Sequence, residues 1–212
     1  ALTVDESDLT ANASASFAGN FVASASFGAD GAGTTSSTYA LSLGVGVGVL
    51  NSGLLNLANQ AITLHDNNGV IEGRVGNTVY FSLSADNAGL VTLDQQRAVR
   101  HPDADNPDDS VSLGAGLISL TRTDRVTDAD GDTASASASL DIGGALSFED
   151  DGPSVSVERA AEVVLPALTV DESSLNVNAS ANFANQFTIT SSSFGADRSE
   201  ERRVGKECRS RW

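Results

Sequence analysis

Hydrophobic and polar residues alternate along most of the chain, which is the pattern of half-buried β-strands. The longest alternating segment spans residues 39–49, with large residues at odd positions and Ala, Ser and Gly at even ones. Short strands separated by turn residues predict an all-β fold, an antiparallel β-sandwich of the immunoglobulin or cadherin type. Further strands are predicted at 61–64, 70–75, 78–85, 90–93, 117–126, 133–142 and 145–148.

The start of the chain returns near its end. ALTVDESDLTANASASFAGNF at 1–21 is matched by ALTVDESSLNVNASANFANQF at 167–187, with 15 of 21 positions identical. Both copies continue to Phe-Gly-Ala-Asp, and the second copy has one additional residue before that motif. A repeat of this length indicates tandem domains rather than a solenoid of short turns. The sequence predicts a complete module at 1–153, an inter-repeat linker at 154–166 and the truncated start of a second repeat at 167–197.

The composition changes abruptly after Asp197. Residues 198–212 contain the only Lys, Cys and Trp of the chain and six of its twelve basic residues. This segment resembles the translation of a common sequencing-adapter oligonucleotide, and the alternative is a genuine basic tail that binds an acidic partner. Because the second repeat breaks off where the segment begins, we interpret it as a non-native tail.

The charge of the chain limits its partners. The net charge is −16, and without residues 198–212 six basic and 25 acidic residues remain, a net charge of −19. Such a chain lacks the clustered Lys and Arg that bind nucleic-acid phosphates, and anionic lipid would repel it. We therefore expect no nucleic-acid binding and no membrane insertion. A cation is the electrostatic partner that the composition favours.

The first candidate cation site is the sequence Asp128-Ala-Asp130-Gly-Asp132. Carboxylates at alternate positions around a glycine suit Ca²⁺, which binds hard oxygen ligands. The twelfth position counted from Asp128 is Ser139 rather than Glu, so the segment is not an EF-hand loop. Such a site needs ligands from elsewhere. The alternative is a solvated turn, in which Asp and Gly are common.

The second candidate is a run of three carboxylates, Glu149, Asp150 and Asp151, at the end of the module. Asp171 and Glu172 of the next copy are possible further ligands. Together they predict a calcium-clamped junction, in which one cation bridges the end of one sandwich and the start of the next. An acidic linker without metal is the alternative.

The third candidate is the loop at 101–109, which two prolines stiffen. Its carboxylates could hold a second calcium or recognise a ligand, and the alternative is a rigid, exposed acidic loop. The two histidines, His65 and His101, lie in polar turns and are interpreted as surface residues rather than zinc ligands. The carboxylates of this loop are Asp103, Asp105, Asp108 and Asp109.

Enzyme motifs are absent from the sequence. It has no G-x-S-x-G elbow, no H-E-x-x-H and no phosphate-binding G-x-x-x-x-G-K-[ST] loop. The paired carboxylates lie in turns beside glycines instead of an aromatic-lined cleft that would bind a sugar. We therefore expect that the chain is not an enzyme.

Seven motifs together resemble a known family. In this order they are similar to the tandem domain of unknown function found in very large repeats-in-toxin (RTX) proteins of Gram-negative bacteria, and the similarity covers residues 1–197. The glycine-rich nonapeptide of calcium β-rolls is absent, so calcium is expected in sandwich loops or at the junction. The motifs are LTVDES at 2–7, FGAD at 27–30, VTL at 91–93, RAVRHP at 97–102, DDSVSL at 108–113, TDADGDT at 127–133 and FEDDGP at 148–153.

The resemblance implies an extracellular, cell-surface array of an adhesin or toxin that is exported by type I secretion and depends on calcium. We expect a structural extender repeat, in contact with neighbouring repeats of the same chain and stiffened by Ca²⁺ at its loops and junctions. The alternative is a module that itself binds a glycan or a host protein, through the loop at 101–109.

Overall fold

The computed structural model describes residues 1–44, 49–161 and 164–196, and in these ranges the chain is built from β-strands. No helix there exceeds three residues, and none is long and apolar enough to cross a membrane. The predicted all-β fold is confirmed. The strands are β1 (Leu2–Asp5), β2 (Ala13–Ser16), β3 (Ala32–Leu43), β4 (Val49–Leu55), β5 (Ala61–Asn67), β6 (Val70–Val75), β7 (Thr78–Ala85), β8 (Leu90–Gln95), β9 (Ser110–Ser112), β10 (Ile118–Asp128), β11 (Thr133–Asp141), β12 (Leu146–Glu149), β13 (Ser154–Arg159) and β14 (Phe187–Ser193). The 3-10 helices are Glu6–Asp8, Ala18–Asn20, Gly143–Ala145, Glu172–Ser174 and Ala184–Gln186.

The strands form four sheets. The largest is antiparallel and has the order β2-β8-β7-β6-β5-β4. Two three-stranded sheets have the orders β11-β10-β3 and β1-β12-β9, and β13 pairs with β14. Neighbouring strands are antiparallel except β1 and β12, which run parallel with Leu2 opposite Leu146 and Asp5 opposite Glu149. The expectation of antiparallel pairing therefore fails at one place, where the first strand of the module meets its last.

One hydrophobic core joins the three larger sheets. Phe81 of β7 and Phe148 of β12 are in contact, with ring centroids 4.9 Å apart. Leu2 of β1 and Leu120 of β10 are buried in the same core. The six-stranded sheet contributes one layer, and the two three-stranded sheets face it across these side chains. This arrangement is a β-sandwich.

Seven of the eight predicted strands are present in the described ranges. The strands β6 and β7 have the predicted bounds, and β5, β8, β10, β11 and β12 differ from the predicted ones by one to three residues at an end. The single strand predicted at 39–49 is wrong, because β3 ends at Leu43 and β4 begins at Val49 in a different sheet. Residues 45–48 of the predicted strand at 39–49 lie outside the described residues. The sequence did not predict β1, β2, β9, β13 or β14, nor the part of β3 before Tyr39 and the part of β4 after Val49. Of these, β1, β2 and β9 are only three or four residues long, and such short segments carry little alternation.

The predicted linker between the copies contains a strand. Residues of β13 pair antiparallel with β14, which belongs to the second copy, from Ser154 opposite Ser193 to Arg159 opposite Phe187. The boundaries that we gave to the module and the second repeat stay a prediction. Asp197 and the tail at 198–212 lie outside the described residues.

Candidate cation sites

Ionisable side chains that are far apart in the sequence meet at two places in the fold. The loop cluster consists of Asp30, Asp128 and Asp130. The buried cluster consists of Glu6, His101, Asp109 and Asp150. The loop cluster combines the FGAD and TDADGDT motifs, and the buried cluster combines LTVDES, RAVRHP, DDSVSL and FEDDGP. Six of the seven motifs that carry the family resemblance therefore contribute to these two clusters.

The loop cluster lies where the start of β3 pairs with the end of β10. Carboxylate oxygens of Asp30, Asp128 and Asp130 all lie within 4.8 Å of one another. The N–H of Ala129 donates to the carbonyl of Gly31 at 3.2 Å, which holds the turn carrying Asp30 against the other loop. The FGAD turn therefore supplies a third carboxylate to the Asp-Gly loop.

The side chain of Asp128 closes its own loop. Its Oδ1 accepts hydrogen bonds from the N–H groups of Gly131 at 3.1 Å and Asp132 at 2.8 Å. A hydrogen bond with Asp130, together with these N–H groups, holds the pKa of Asp128 below its ordinary value despite the opposing effect of burial. The carboxylate of Asp132 is exposed and does not join the group. Of the three carboxylates predicted here, the structure brings two together.

Three carboxylates on a partly exposed loop suit a hard divalent cation. Ca²⁺ takes about six to eight oxygen ligands, so water and backbone carbonyls would fill the positions that the carboxylates leave. A groove of about 230 Å³ lies beside the cluster, lined by Asp30 and Asp128 among others, and gives access to it. The all-oxygen donor set fits calcium better than zinc, which prefers nitrogen and sulfur.

Glu6 is the central residue of the buried cluster. It lies on the 3-10 helix that follows β1, and only 2% of its surface is exposed. Its Oε1 accepts hydrogen bonds from Nε2 of Gln95 and from the N–H of Val99, both at 2.8 Å. Its Oε2 has no hydrogen-bond partner among the described residues. Because a buried carboxylate is costly unless its charge is compensated, Glu6 needs a positive group beside it.

His101 lies beside Glu6 and can carry this charge. Its side chain is only 3% exposed, with Nε2 at 3.4 Å from Oε1 of Glu6 and Nδ1 at 3.2 Å from Oδ1 of Asp109. Burial lowers the pKa of His101, but Glu6, Asp150 and Asp109 raise it more, so its pKa lies above the ordinary value. Our interpretation of His101 as a surface residue is therefore wrong. His65 lies partly exposed on β5.

Asp109 and Asp150 reach the buried cluster from two loops that are tied together. The N–H of Asp150 donates to the carbonyl of Asp109 at 3.0 Å, and the N–H of Gly152 donates to the carbonyl of Pro107 at 2.9 Å. A Cβ on Gly152 would lie 2.3 Å from the Cβ of Pro107, so this approach requires glycine. Burial raises the pKa of Asp150 above its ordinary value.

The buried cluster also has the chemistry of a cation site. Ligand atoms of Glu6, His101 and Asp150 lie within 4.8 Å of one another. Oε2 of Glu6 and Oδ1 of Asp150 lack hydrogen-bond partners in the part of the chain that the structure describes, whereas the ring nitrogens of His101 face Oε1 of Glu6 and Oδ1 of Asp109. Three ionised carboxylates would leave negative charge in excess even with His101 protonated. A divalent cation would balance that excess.

The structure does not bring the predicted junction ligands of the second copy to this site. Asp171 and Glu172 are both exposed, and Asp171 caps the 3-10 helix that follows it. Of the three carboxylates at 149–151, Asp150 belongs to the buried cluster and lies close to Glu6. Glu6 is the residue of the first copy that corresponds to Glu172. The ionisable groups that meet at the end of the module thus come from residues before the second copy. Glu149 of the run lies in β12, opposite Asp5 of β1, and Asp151 lies beside the junction.

The loop at 101–109 uses several of its carboxylates on its own backbone. The carboxylate of Asp103 accepts from the N–H of Asp105 at 3.1 Å, and that of Asp109 accepts from the N–H of Asp103 at 3.3 Å. Asp103, Asp105 and Asp108 are exposed and form no three-ligand group within the described ranges. Among the four predicted residues, Asp109 is the one that lies in the buried cluster.

The sequence matches a known family over most of its length. The family described as Domain of unknown function (DUF5801) matches residues 1–143. The chain belongs to this family. The match includes the loop cluster and, in the buried cluster, Glu6, His101 and Asp109, and it ends before Asp150. No curated protein and no solved structure matches the chain. The family has no assigned activity, so the predictions of an RTX context, of calcium and of a non-enzymatic role stay predictions.

Proposed function

We propose that this chain is an extender repeat of a large secreted bacterial surface adhesin of the RTX type, stiffened by calcium. The observation that supports a spacer role best is the pairing of β13 with β14, because it ties the segment that follows the first module to the second copy by backbone hydrogen bonds. Repeats that contact only their neighbours build an extended array. Such an array would hold a distal binding domain away from the surface of a Gram-negative cell.

Calcium would act first at the loop cluster. Without a cation, Asp30, Asp128 and Asp130 repel one another, and the FGAD turn is held to the other loop by few contacts. Bound Ca²⁺ would neutralise the carboxylates and fix the turn to the end of β10. Extracellular calcium modules bind with dissociation constants of roughly 10⁻⁴ to 10⁻³ M. A site of this affinity would be filled at the millimolar calcium concentrations outside cells.

Unfolding of the chain in calcium and in chelator tests the calcium part of this proposal. At about 10 mM Ca²⁺, those affinities correspond to about 1.4–2.7 kcal/mol of added stability. Asp30→Asn and Asp130→Asn should each remove most of the gain. Asp132→Asn is the matched control and should keep it, because the carboxylate of Asp132 is not in the cluster. Equal stability in calcium and chelator would overturn the calcium part.

A groove beside the loop at 101–109 favours a second candidate function, recognition of a glycan or a host protein. Its volume is about 540 Å³, and its walls include Leu57, Arg100, Asp103 and Pro153. An apolar side chain beside a cationic and an anionic one offers mixed contacts to a polar ligand. Binding of the chain to a glycan array, lost in Asp103→Ala and kept in Asp108→Ala, would support this function. No binding at all would remove it.

A further inference from the structure

The two copies of the repeat have the same local backbone at their 3-10 helices. Phe17 has φ −104° and ψ 0°, and its counterpart Phe183 has −101° and 3°. Each residue precedes a three-residue 3-10 helix, and the next residue after each helix is extended. In the Phe-Gly-Ala-Asp motif that follows in each copy, Gly28 and Gly195 have φ of 68° and 72°. The segments between these landmarks, 21–27 and 187–194, are therefore directly comparable.

Only one of the two segments forms a strand. In the second copy, β14 pairs with β13, and the N–H of Ala160 extends this ladder to the carbonyl of Gln186 at 2.8 Å. In the first copy, 21–27 belongs to no strand, and no described residue forms a ladder with it. The difference lies in the partner, because β13 comes from the residues that precede the second copy.

The additional residue of the second copy explains the register shift in the β13–β14 ladder. The β13–β14 ladder shifts register between Ser156 and Val157, which lie opposite Ser191 and Ile189, so Thr190 is the unpaired residue of a bulge. The first copy has one residue fewer between Phe21 and Phe27 than the second has between its corresponding phenylalanines. A strand like β13 would therefore pair with 21–26 in an unbroken ladder.

Glycine at the end of each segment gives a second, independent indication. A Cβ on Gly195 would lie 1.8 Å from the carbonyl oxygen of Asp151, so the end of the first module packs directly on this glycine. The corresponding Gly28 has no atom within 4 Å of such a Cβ. The first copy thus has the same small residue in the same backbone conformation, facing open space where the second copy has a neighbour.

The surroundings of 21–27 leave room for a strand. Phe21 anchors the segment by packing edge-on against Tyr39, with ring centroids 5.9 Å apart, and Val22 is fully exposed. A groove of about 270 Å³ separates residues 21–24 from β10 and β11, and the groove of about 230 Å³ at the loop cluster continues it past Gly28. The edge of β11 has no other strand beside it among the described residues.

We propose that residues 21–26 accept, as an antiparallel strand, the segment of a preceding repeat that corresponds to β13. Each repeat then donates a strand to the next one, and Asp151-Gly152 of the donor packs on Gly28 of the acceptor. The partner is a segment with the chemistry of Ser-Val-Ser-Val-Glu-Arg, whose main chain supplies the hydrogen bonds. This inference rests on the proposed role in a tandem array and is independent of calcium.

The test adds the donor to the full chain. A copy of residues 148–166 placed directly before Ala1 restores the natural spacing, because residue 166 precedes Ala167, the counterpart of Ala1. Hydrogen exchange at the amides of 22–26 is compared with and without this extension. We expect at least a tenfold slowing. The amides of β14 serve as an internal standard and should not change.

The matched control is the same extension carrying Ser156→Pro and Val157→Pro. Adjacent residues of a strand point their N–H groups in opposite directions, so one of the two prolines removes a ladder donor whichever edge faces the acceptor. Slowing by the natural extension alone supports the proposal, and equal exchange with both extensions overturns it. The measurement is made in calcium and in chelator. If hydrogen exchange slows in calcium and in chelator alike, and calcium does not change the stability of the chain, strand donation is supported. Only the calcium part of the proposed function is then wrong.

Discussion

The first thirty residues and their second copy show how much of a strand depends on its partners. The 3-10 helices form in both copies, because their hydrogen bonds are local. Leu2 in β1 is 1% exposed, whereas its counterpart Leu168 is 54% exposed and belongs to no strand. Glu6 is buried, and Glu172 is exposed. Nearly the same sequence thus acquires its tertiary environment only where the rest of the module is present.

The second copy in turn contains a strand that the first copy lacks. Residues 187–193 form a strand in the copy that is otherwise less complete, and 21–27 do not. Two halves of one structural unit are therefore seen separately. The first copy shows the core that a repeat builds by itself, and the second shows the contact that it receives from its predecessor.

The largest expected effect comes from the leucine that opens each copy. Leu2→Ala removes a buried side chain from the core and should lower the free energy of unfolding by about 2–5 kcal/mol. Leu168→Ala removes an exposed side chain and should change it by less than about 0.5 kcal/mol. Urea unfolding of both variants measures the difference. Similar costs for the two would mean that the second copy has a core of its own.

Substitution of the glutamate in each copy should give the next largest effect. Glu6→Gln leaves Oε1 to accept from Val99 but removes the charge beside His101, and we expect a loss of about 1–3 kcal/mol. Glu172→Gln is the matched control and should be nearly neutral. Unfolding in urea measures the stabilities, and the NMR titration of His101 should show a lower pKa in Glu6→Gln alone. An unchanged titration would contradict the contact between the two side chains.

A smaller effect is expected from pH. The pKa of His101 is raised in the folded state, so the folded chain binds this proton more tightly than the unfolded chain does. The resulting stabilisation is complete below about pH 6.5, the ordinary value, and is lost as pH rises through the folded pKa. Stability measured across this range should fall with rising pH in the natural chain and in His65→Gln. His101→Gln should flatten the profile, and a persistent slope would assign it to other groups.

The smallest effect should come from the paired glycines. Alanine at Gly28 or Gly195 incurs the cost of a left-handed conformation, about 1–2 kcal/mol locally. Gly195→Ala additionally pushes the backbone of Asp151 away and should speed hydrogen exchange in β14, by about tenfold for each 1.4 kcal/mol. Gly28→Ala should leave that exchange unchanged. In a chain extended by the donor segment, Gly28→Ala should weaken the new strand pairing as well, which would make the two positions equivalent.

Local pattern was sufficient to predict β6, β7, β10 and β11, whereas it covered only the end of β3, the longest strand. The bounds of β6 and β7 follow from alternation ended by a turn at Gly76-Asn77. The short strands β1 and β9 were missed because their pairing with β12, not their composition, makes them strands. The exposed Ala-Ser run of β11 was predicted correctly as a strand, since its alternation is strict even though both faces are exposed.

The members of the two clusters could be predicted in part for the same reason. Asp128, Asp130 and Asp150 lie in loops rich in carboxylates, which the local sequence reveals. Asp30 and Glu6 were not among the predicted residues although both lie in motifs that the two copies share, because which loops they approach depends on contacts distant in sequence. Two strands pair where the sequence predicted a calcium-bridged junction, and that bridge stays a prediction.

The parallel pair of β1 and β12 determines how the module would respond to stretching. A pull on the two ends of the module draws β1 toward its beginning at Leu2 and β12 toward its end at Glu149. These directions are opposite and lie along the strands, so the paired positions from Leu2–Leu146 to Asp5–Glu149 are loaded in shear, all at once. A hairpin opened from its ends would break one hydrogen bond at a time. The entry and exit strands thus form a mechanical clamp, which is what the proposed role in a surface array would require.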